Sequence, residues 1–115
     1  MTTDKTGAET TVRLDGDRFT ISVDGQTVGS AYFAERDGTR VFYHTEVDNE
    51  YEGRGLATIL VGEALQATRD AGERIVPVCG VVAGYVEKHP EFGDIADEPT
   101  PEISDWLGPR LAERA

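Results

Sequence analysis

The stretch Val47-Asp48-Asn49-Glu50-Tyr51-Glu52-Gly53-Arg54-Gly55-Leu56-Ala57-Thr58 decides the fold, because the spacing of apolar residues changes across it. Before Val47 apolar and polar residues alternate, which is typical of half-buried strands. From Leu56 onward apolar residues recur at intervals of three and four, which is typical of an amphipathic helix. The sequence therefore predicts a strand that leads into a helix through a loop with two closely spaced glycines.

This loop has the composition of an anion-binding turn. Glycines let backbone N–H groups approach a bulky anion without a Cβ in the way. The first-turn amides of a helix have no partner within the helix and lie at the positive end of its dipole. A pyrophosphate would satisfy them, while Arg54 adds positive charge and Thr58 a hydroxyl. An ordinary strand-to-helix turn explains the same glycines, and the patterns GxGxxG and GxxxxGK[ST] are absent.

The residues before the loop predict an antiparallel meander. Arg18–Val23 alternates strictly, and the tight-turn dipeptides Asp24-Gly25 and Asp37-Gly38 separate it from two later strands. We expect strands at 12–14, Arg18–Val23, near Gln26–Glu35 and at Arg40–Val47. In the third of these, the residues predicted to share one face are Val28, Ser30, Tyr32 and Ala34.

The residues after the loop predict helices around one more strand. We expect a helix from Leu56 to Ala71, a short parallel strand, a helix at Val81–His89, an acidic connector at Asp94–Pro101 and a terminal helix at Ile103–Ala115. Pro77 suggests that the strand Ile75–Cys79 is an edge or carries a bulge. This order predicts an α+β (mixed α/β) domain with one mainly antiparallel sheet. The polar segment 1–10 is expected to be disordered, which leaves 11–115 as a single domain.

The composition is acidic. Among 115 residues, 22 Asp and Glu oppose 11 Lys and Arg, for a net charge of −11. Such a surface repels nucleic acid and attracts a cationic amine. Because the acids are scattered rather than clustered around one motif, a solvated acidic surface of the kind found in salt-loving organisms explains the charge better. No apolar run approaches the roughly 20 residues of a membrane helix, and Met1–Thr11 is not typical of a secretory signal. We expect a cytoplasmic protein with no membrane partner, as the single cysteine also suggests.

The loop resembles motif A of the GNAT superfamily of acyl-CoA-dependent N-acetyltransferases, whose pattern is Gln/Arg-x-x-Gly-x-Gly/Ala. Gly55 and Ala57 match the last two positions, whereas Glu52 stands where Gln or Arg is usual. The resemblance implies a minimal GNAT fold with a central phosphate-binding helix, one or two further helices and acetyl-CoA as cofactor. The cofactor-binding residues that it implies are Val47, Glu52, Gly53, Arg54, Gly55, Leu56, Ala57 and Thr58.

A narrower resemblance covers about Phe19 to Phe92. The chain looks like the small single-domain YjdJ-type family of GNAT proteins, which shares four motifs in this order: His-Thr-x-Val, Gly-x-Gly-x-Ala, Pro-x-Cys and Tyr-x-x-x-His-Pro. The matching segments are His44–Val47, the glycine loop, Pro77–Cys79 and Tyr85–Pro90. Gly80 stands where a proline is frequent in that family.

Three residues after the main helix are candidates for catalysis. Cys79, beside a predicted helix start that favours the thiolate, could accept an acetyl group, lie next to it, or fill space as a small buried residue. His89 could act as a general base or be favoured at a helix C-terminus by the dipole. Tyr85 shares a helix face with His89 and resembles the tyrosine that protonates the coenzyme A thiolate in many GNAT enzymes. The usual Tyr-Glu-Lys pattern would place that tyrosine at Val86, and core packing explains Tyr85 as well.

Strand alternation leaves one choice open beside the loop. His44 and Glu46 face one way and Thr45 and Val47 the other, so only one pair can face the site. No metal is expected, because no spacing such as His-Glu-x-x-His occurs.

These observations predict an acetyl-CoA-dependent N-acetyltransferase that moves an acetyl group to an amine of a small molecule or a protein lysine. The amine attacks directly or through an acetylated Cys79. The alternative is an acyl-CoA-binding module without turnover. The chain is expected to be a monomer or a homodimer, and the sequence does not indicate the acceptor.

Overall fold

The computed structural model describes residues 2–3, 6–51 and 53–114. Within these ranges lie six strands, namely β1 (Thr2–Thr3), β2 (Glu9–Asp15), β3 (Arg18–Val23), β4 (Gln26–Arg36), β5 (Thr39–Val47) and β6 (Arg74–Pro77). The α-helices of the same ranges are α1 (Leu56–Asp70), α2 (Gly80–Lys88) and α3 (Pro101–Arg114). Single 3₁₀ turns occur at Asn49–Tyr51 and Pro90–Phe92.

The strands form one sheet in chain order, from β1 to β6. Neighbouring strands are antiparallel except β5 and β6, which α1 connects as a parallel pair. This arrangement confirms the predicted α+β class with a mainly antiparallel mixed sheet. Pro77 is the last residue of β6, at the edge of the sheet, where its missing N–H breaks no ladder hydrogen bond.

Strand pairing begins earlier than the sequence predicts. The segment 1–10 is expected to be disordered, yet Thr2 pairs with Thr10 and Thr3 with Glu9, and Thr10 continues the ladder opposite Val23. Thr10 is buried. The physical reason is that β3 continues as far as Val23, opposite Thr10. A β-branched threonine also packs well in a strand. Residues 1, 4 and 5 lie outside the described part of the chain.

Two β-bulges change the predicted side-chain faces. Ile21 pairs with Gly29 but Ser22 pairs with Thr27, so Val28 is an extra residue in β4. An extra residue resets the alternation of a strand. Val28 therefore shares the core with Ala31 and Phe33. The prediction that it shares a face with Ser30, Tyr32 and Ala34 is wrong.

The second bulge lies in β5. Tyr32 pairs with His44 and Phe33 with Phe42, so Tyr43 is the extra residue. Beyond it, Thr45 and Val47 take the face of buried Phe42, and the side chains of His44 and Glu46 are 56% exposed. Of the two pairs that strand alternation allows, Thr45 and Val47 therefore face the core side of the sheet, and His44 and Glu46 face the other side.

The two faces of the sheet are covered differently. Helices α1 and α2 pack on one face through the main core, which includes Ile21, Phe42, Leu60, Leu65 and Val82. Helix α3 packs with Ile103 and Leu107 against Val41 and Val76, in a separate and smaller cluster. None of the described helices is long and apolar enough to cross a membrane.

A buried cation ties the start of β5 to the end of α1. Arg40, with only 8% of its side chain exposed, lies 3.0 Å from a carboxylate oxygen of Glu73 and 3.3 Å from one of Glu35. It also donates to the Thr68 hydroxyl at 3.1 Å. Burial raises the pKa of Glu73, and a hydrogen bond with Glu35 raises it further, whereas Arg40 acts in the opposite direction. The salt bridge therefore offsets part of the cost of burying this carboxyl group.

Candidate functional site

The second half of β5 has an open edge. Pairing with β6 stops at Phe42 and Pro77, and the Cys79 amide makes the last bond, to the Phe42 carbonyl at 2.9 Å. Beyond this point, from Tyr43 to Val47, no strand within the described ranges pairs with that edge. The chain turns into α2 there, so β5 presents its backbone N–H and C=O groups to a cleft. An extended ligand that contains amides can pair with such an edge.

A cavity of about 350 Å³ begins at this edge and reaches the first turn of α1. It is lined by the end of β5, the glycine loop and α1, with the residues Thr45, Glu46, Val47, Tyr51, Gly53, Gly55, Leu56, Ala57, Thr58 and Val81. Val81 is 45% exposed, which is unusual for a large apolar side chain. The cavity thus combines a strand edge, an apolar wall and a helix N-terminus.

The loop backbone has the geometry that the two glycines suggest. Gly53 and Gly55 have φ angles of 80° and 77°, in the left-handed region that other residues rarely adopt. Gly55 is the N-cap of α1, and among the described residues no side chain makes a capping hydrogen bond at this helix start. The first-turn amides of α1 therefore meet the cavity with their hydrogen-bonding capacity unused by a cap, which is the usual arrangement of an anion site.

Most of the predicted cofactor-binding residues line this cavity. Val47, Gly53, Gly55, Leu56, Ala57 and Thr58 all do so. Arg54 is oriented differently, because its guanidinium lies 4.8 Å from the centre of the Tyr51 ring and donates to the Thr6 hydroxyl at 3.1 Å. Glu52 lies outside the described residues.

Cys79 stands at the strand end of the cavity. It is the N-cap of α2 rather than a strand residue, because β6 already ends at Pro77. Its half-buried thiol donates a hydrogen bond to the Thr45 hydroxyl at 3.4 Å. Since Thr45 lines the cavity, the thiol lies directly behind the cavity wall. The sequence missed Thr45 as the partner of Cys79, because the bulge that aims Thr45 is not visible in a single strand.

Tyr85 and His89 lie in a different place. They line a second cavity of about 300 Å³ between α1 and α2, which shares Ala57, Thr58 and Val81 with the first. Their rings stack with the ring centroids 3.8 Å apart. The His89 Nδ1 lies 2.9 Å from the Tyr85 carbonyl oxygen. The Tyr85 hydroxyl packs on Gly62 of α1, where a Cβ would approach it to 2.6 Å. Burial raises the pKa of Tyr85, and the charge of Glu91 adds to this effect.

The three catalytic candidates therefore do not form one cluster. Tyr85 and His89 are in contact, but Cys79 and His89 flank opposite ends of the nine-residue α2. At 1.5 Å per residue, this helix separates them by about 14 Å. The imidazole is thus too far from the thiol for direct proton transfer between the two groups.

The fold thus places an open strand edge and a helix start on one cavity. A family model described as GCN5-related N-acetyl-transferase matches residues 18–95. The chain belongs to this GCN5-related N-acetyltransferase (GNAT) family, as its motifs predict.

Of three similar solved structures, the first supports the fold. A GCN5-like protein of Staphylococcus aureus, determined by NMR, is similar with a TM-score of 0.59 at 17% identity, over 79% of this chain and 91% of that one. A GNAT-family protein of Desulfovibrio desulfuricans has a TM-score of 0.45 at 22% identity, over 50% of this chain and 40% of that one. An aminoglycoside acetyltransferase from a soil metagenome, in complex with trehalose, has a TM-score of 0.46 at 17% identity, over 75% of this chain and 63% of that one. No curated protein matches the sequence.

Proposed function

We propose that the protein is an acetyl-CoA-dependent N-acetyltransferase that acetylates an amine of a small molecule or a protein lysine. The observation that carries this proposal is the cavity that joins the open edge of β5 to the glycine loop and the start of α1. An acyl-CoA has three matching parts, namely a thioester, an arm with two amides and an anionic pyrophosphate. The strand edge suits the amides and the helix N-terminus suits the pyrophosphate.

The acyl end of such a ligand belongs near Cys79, because the other end of the cavity holds the anion site. Transfer requires a neutral amine, whose lone pair attacks the thioester carbonyl. The C–N bond forms, the C–S bond breaks, the coenzyme A thiolate leaves and takes a proton, and the nitrogen loses one. The exposed N–H groups of the strand edge can stabilise the negative charge that develops on the carbonyl oxygen.

Cys79 fits two routes. In the first route the amine attacks the bound thioester, and the thiol only shapes the acyl end. In the second route the Cys79 sulfur attacks, a new thioester forms as the coenzyme A thiolate leaves, and the amine then displaces the cysteine. The thiol donates to the Thr45 hydroxyl at 3.4 Å, and this hydroxyl can relay the proton by releasing its own to solvent. Solvent at the cavity mouth is the final acceptor.

Thermal unfolding with coenzyme A tests the proposal first. At a hundred times its Kd a ligand adds about 2.7 kcal/mol of stability, so a clear rise in Tm is expected. Free-thiol release is then measured with acetyl-CoA and polyamines, lysine peptides or small amines, and release with at least one class is expected. No rise in Tm would refute the cofactor site. A rise without thiol release would favour an acyl-CoA-binding module.

The Cys79→Ala variant separates the two routes. Full activity would exclude the covalent route. Loss of turnover with unchanged coenzyme A binding would favour it, provided that Cys79→Ser, which keeps the size of the side chain, is equally inactive. Acetylation of Cys79 in the absence of amine, measured by intact-mass spectrometry, is the direct observation.

A further inference from the structure

We infer that Tyr32, His44 and Glu46 form the acceptor site, in which Glu46 binds the amine as a cation and His44 takes its proton. The inference rests on the proposed function, because it assigns the second substrate of the same transfer. It places that substrate on the sheet face opposite α1 and α2.

The three side chains form a connected cluster on β4 and β5. The Tyr32 hydroxyl donates to one oxygen of Glu46 at 2.9 Å, and the His44 Nε2 lies 3.4 Å from the other. The His44 ring also stacks on the Tyr32 ring, with centroids 5.8 Å apart and an angle of 29° between the planes. Each member thus contacts both of the others, so the carboxylate and the imidazole are held in place although both are 56% exposed.

The position of the cluster relative to the cavity follows from strand geometry. Thr45 contacts the Cys79 thiol, and its neighbours His44 and Glu46 point to the other side of the same strand. Glu46 is nevertheless part of the cavity lining. Because no strand within the described ranges pairs with this edge of β5, the edge is open to both faces of the sheet. Two substrates can therefore meet at the edge from opposite sides.

The charges around the cluster favour a cationic amine at the carboxylate. Arg18 already occupies one face of the Tyr32 ring, with its guanidinium 4.8 Å from the ring centre, and it pairs with Asp17. An ammonium group is therefore expected at Glu46 rather than on the ring. The net charge of −11 adds a long-range attraction for cations. The acceptor class that this site fits is a primary amine on a flexible chain.

The proton balance needs only groups of this cluster and solvent. An ammonium ion cannot attack, so it must first lose a proton. Imidazole is the side chain that exchanges protons near neutral pH. The Nε2 of His44 lies next to the Glu46 carboxylate. With Nδ1–H as the tautomer, Nε2 accepts the proton from an ammonium bound there, and the carboxylate stabilises the imidazolium that forms. The neutral amine then attacks the thioester, and His44 returns the proton to solvent.

Proton NMR of the histidine rings tests amine binding without any turnover. The chain has two histidines, so His89, on the other side of the sheet, is an internal reference. Butylamine is titrated at about 0.15 M salt, where distant surface charges are screened. The His44 ring signals should move and saturate while those of His89 stay unchanged, and the movement should be lost in Glu46→Gln. Glu9→Gln removes the same charge from an exposed position of β2 and should leave it intact. Equal shifts of both rings, no shift at all, or an unchanged shift in Glu46→Gln would overturn the inference.

Steady-state kinetics test the two roles separately. His44→Gln should lower kcat by about 10²-fold or more and leave the KM for acetyl-CoA unchanged. Glu46→Gln should mainly raise the KM for the amine. Wild-type kcat in His44→Gln would overturn the assignment of the base. If the wild-type protein releases no thiol with any amine, the proposed function fails, whereas the ring titration still decides whether the cluster binds amines.

Discussion

Substituting Gly53 by alanine should weaken coenzyme A binding without any steric clash. Gly53 has a φ of 80°, and a Cβ added there would meet no heavy atom within 4 Å. The methyl group therefore has room, and the remaining effect is the strain of a left-handed backbone. For an L-residue this strain is about 1–2 kcal/mol.

The strain appears in the binding free energy if the loop relaxes when it is empty. A relaxed loop must return to the left-handed conformation to hold the pyrophosphate, so binding bears the whole cost. A cost of about 1–2 kcal/mol corresponds to a Kd that is roughly 5- to 30-fold higher. Calorimetric titration with coenzyme A measures this change.

Gly16→Ala is the matched control. Gly16 lies in the turn between β2 and β3 with a φ of 65°, and its Cβ would also meet nothing within 4 Å. The same backbone strain then destabilises the fold, by up to about 2 kcal/mol in urea unfolding, but the Kd for coenzyme A should not change. A Kd of Gly53→Ala within twofold of the wild-type value would refute the reasoning that the empty loop relaxes and that binding bears the strain. Equal weakening in both variants would show a general loss of stability instead.

Two further predictions concern ion pairs away from the cavity. Arg40→Met should reduce the free energy of unfolding by about 1–3 kcal/mol, because it leaves the mostly buried Glu73 carboxylate without its cation. Exposed Arg13→Met should change it by less than about 0.5 kcal/mol in the same urea experiment, and a loss below about 1 kcal/mol for Arg40→Met would contradict the prediction. The second pair is Arg74 with Asp97, whose hydrogen bond lowers the pKa of Asp97 from 3.8. The folded state thus binds this proton more weakly than the unfolded state, so the stabilisation is present above pH 3.8 and is lost as the pH falls below it. Asp97→Asn should therefore show a shallower loss of stability with acid, and equal slopes for both proteins would exclude the effect.

The elements with local signals were predicted well. The sequence places the main helix at Leu56–Ala71 and the structure at Leu56–Asp70. The strand Arg18–Val23 agrees at both ends. These elements depend on periodicity and turn dipeptides, which are properties of neighbouring residues. The glycine loop was predicted for the same reason, because its two glycines directly precede the apolar pattern of the helix.

Features that depend on pairing between strands were not predicted. A bulge exists only relative to its partner strand, so neither Val28 nor Tyr43 carries a signal of its own. The pairing of β1 with β2 likewise depends on contacts between two strands and not on neighbouring residues alone. The separation of Cys79 from His89 is different, because the rise of a helix over Gly80–Lys88 already implies it. The family resemblance names Cys79 and His89 together because both lie in its motifs. A motif does not state the distance between two side chains.

The bulge at Tyr43 connects the fold to the proposed chemistry. Without the extra residue, strict alternation would place His44 and Glu46 on the face of Phe42, toward the core. Burying an ionisable pair there would be costly, and Thr45 would point away from Cys79. With the extra residue, Thr45 reaches the thiol, Val47 packs against the core, and the two ionisable side chains face solvent beside Tyr32. One residue of register therefore separates the proposed cofactor side from the proposed acceptor side of a single strand. Bulges that re-aim side chains are common next to active sites, and the bulge at Tyr43 lies where the proposed two-substrate transfer needs one.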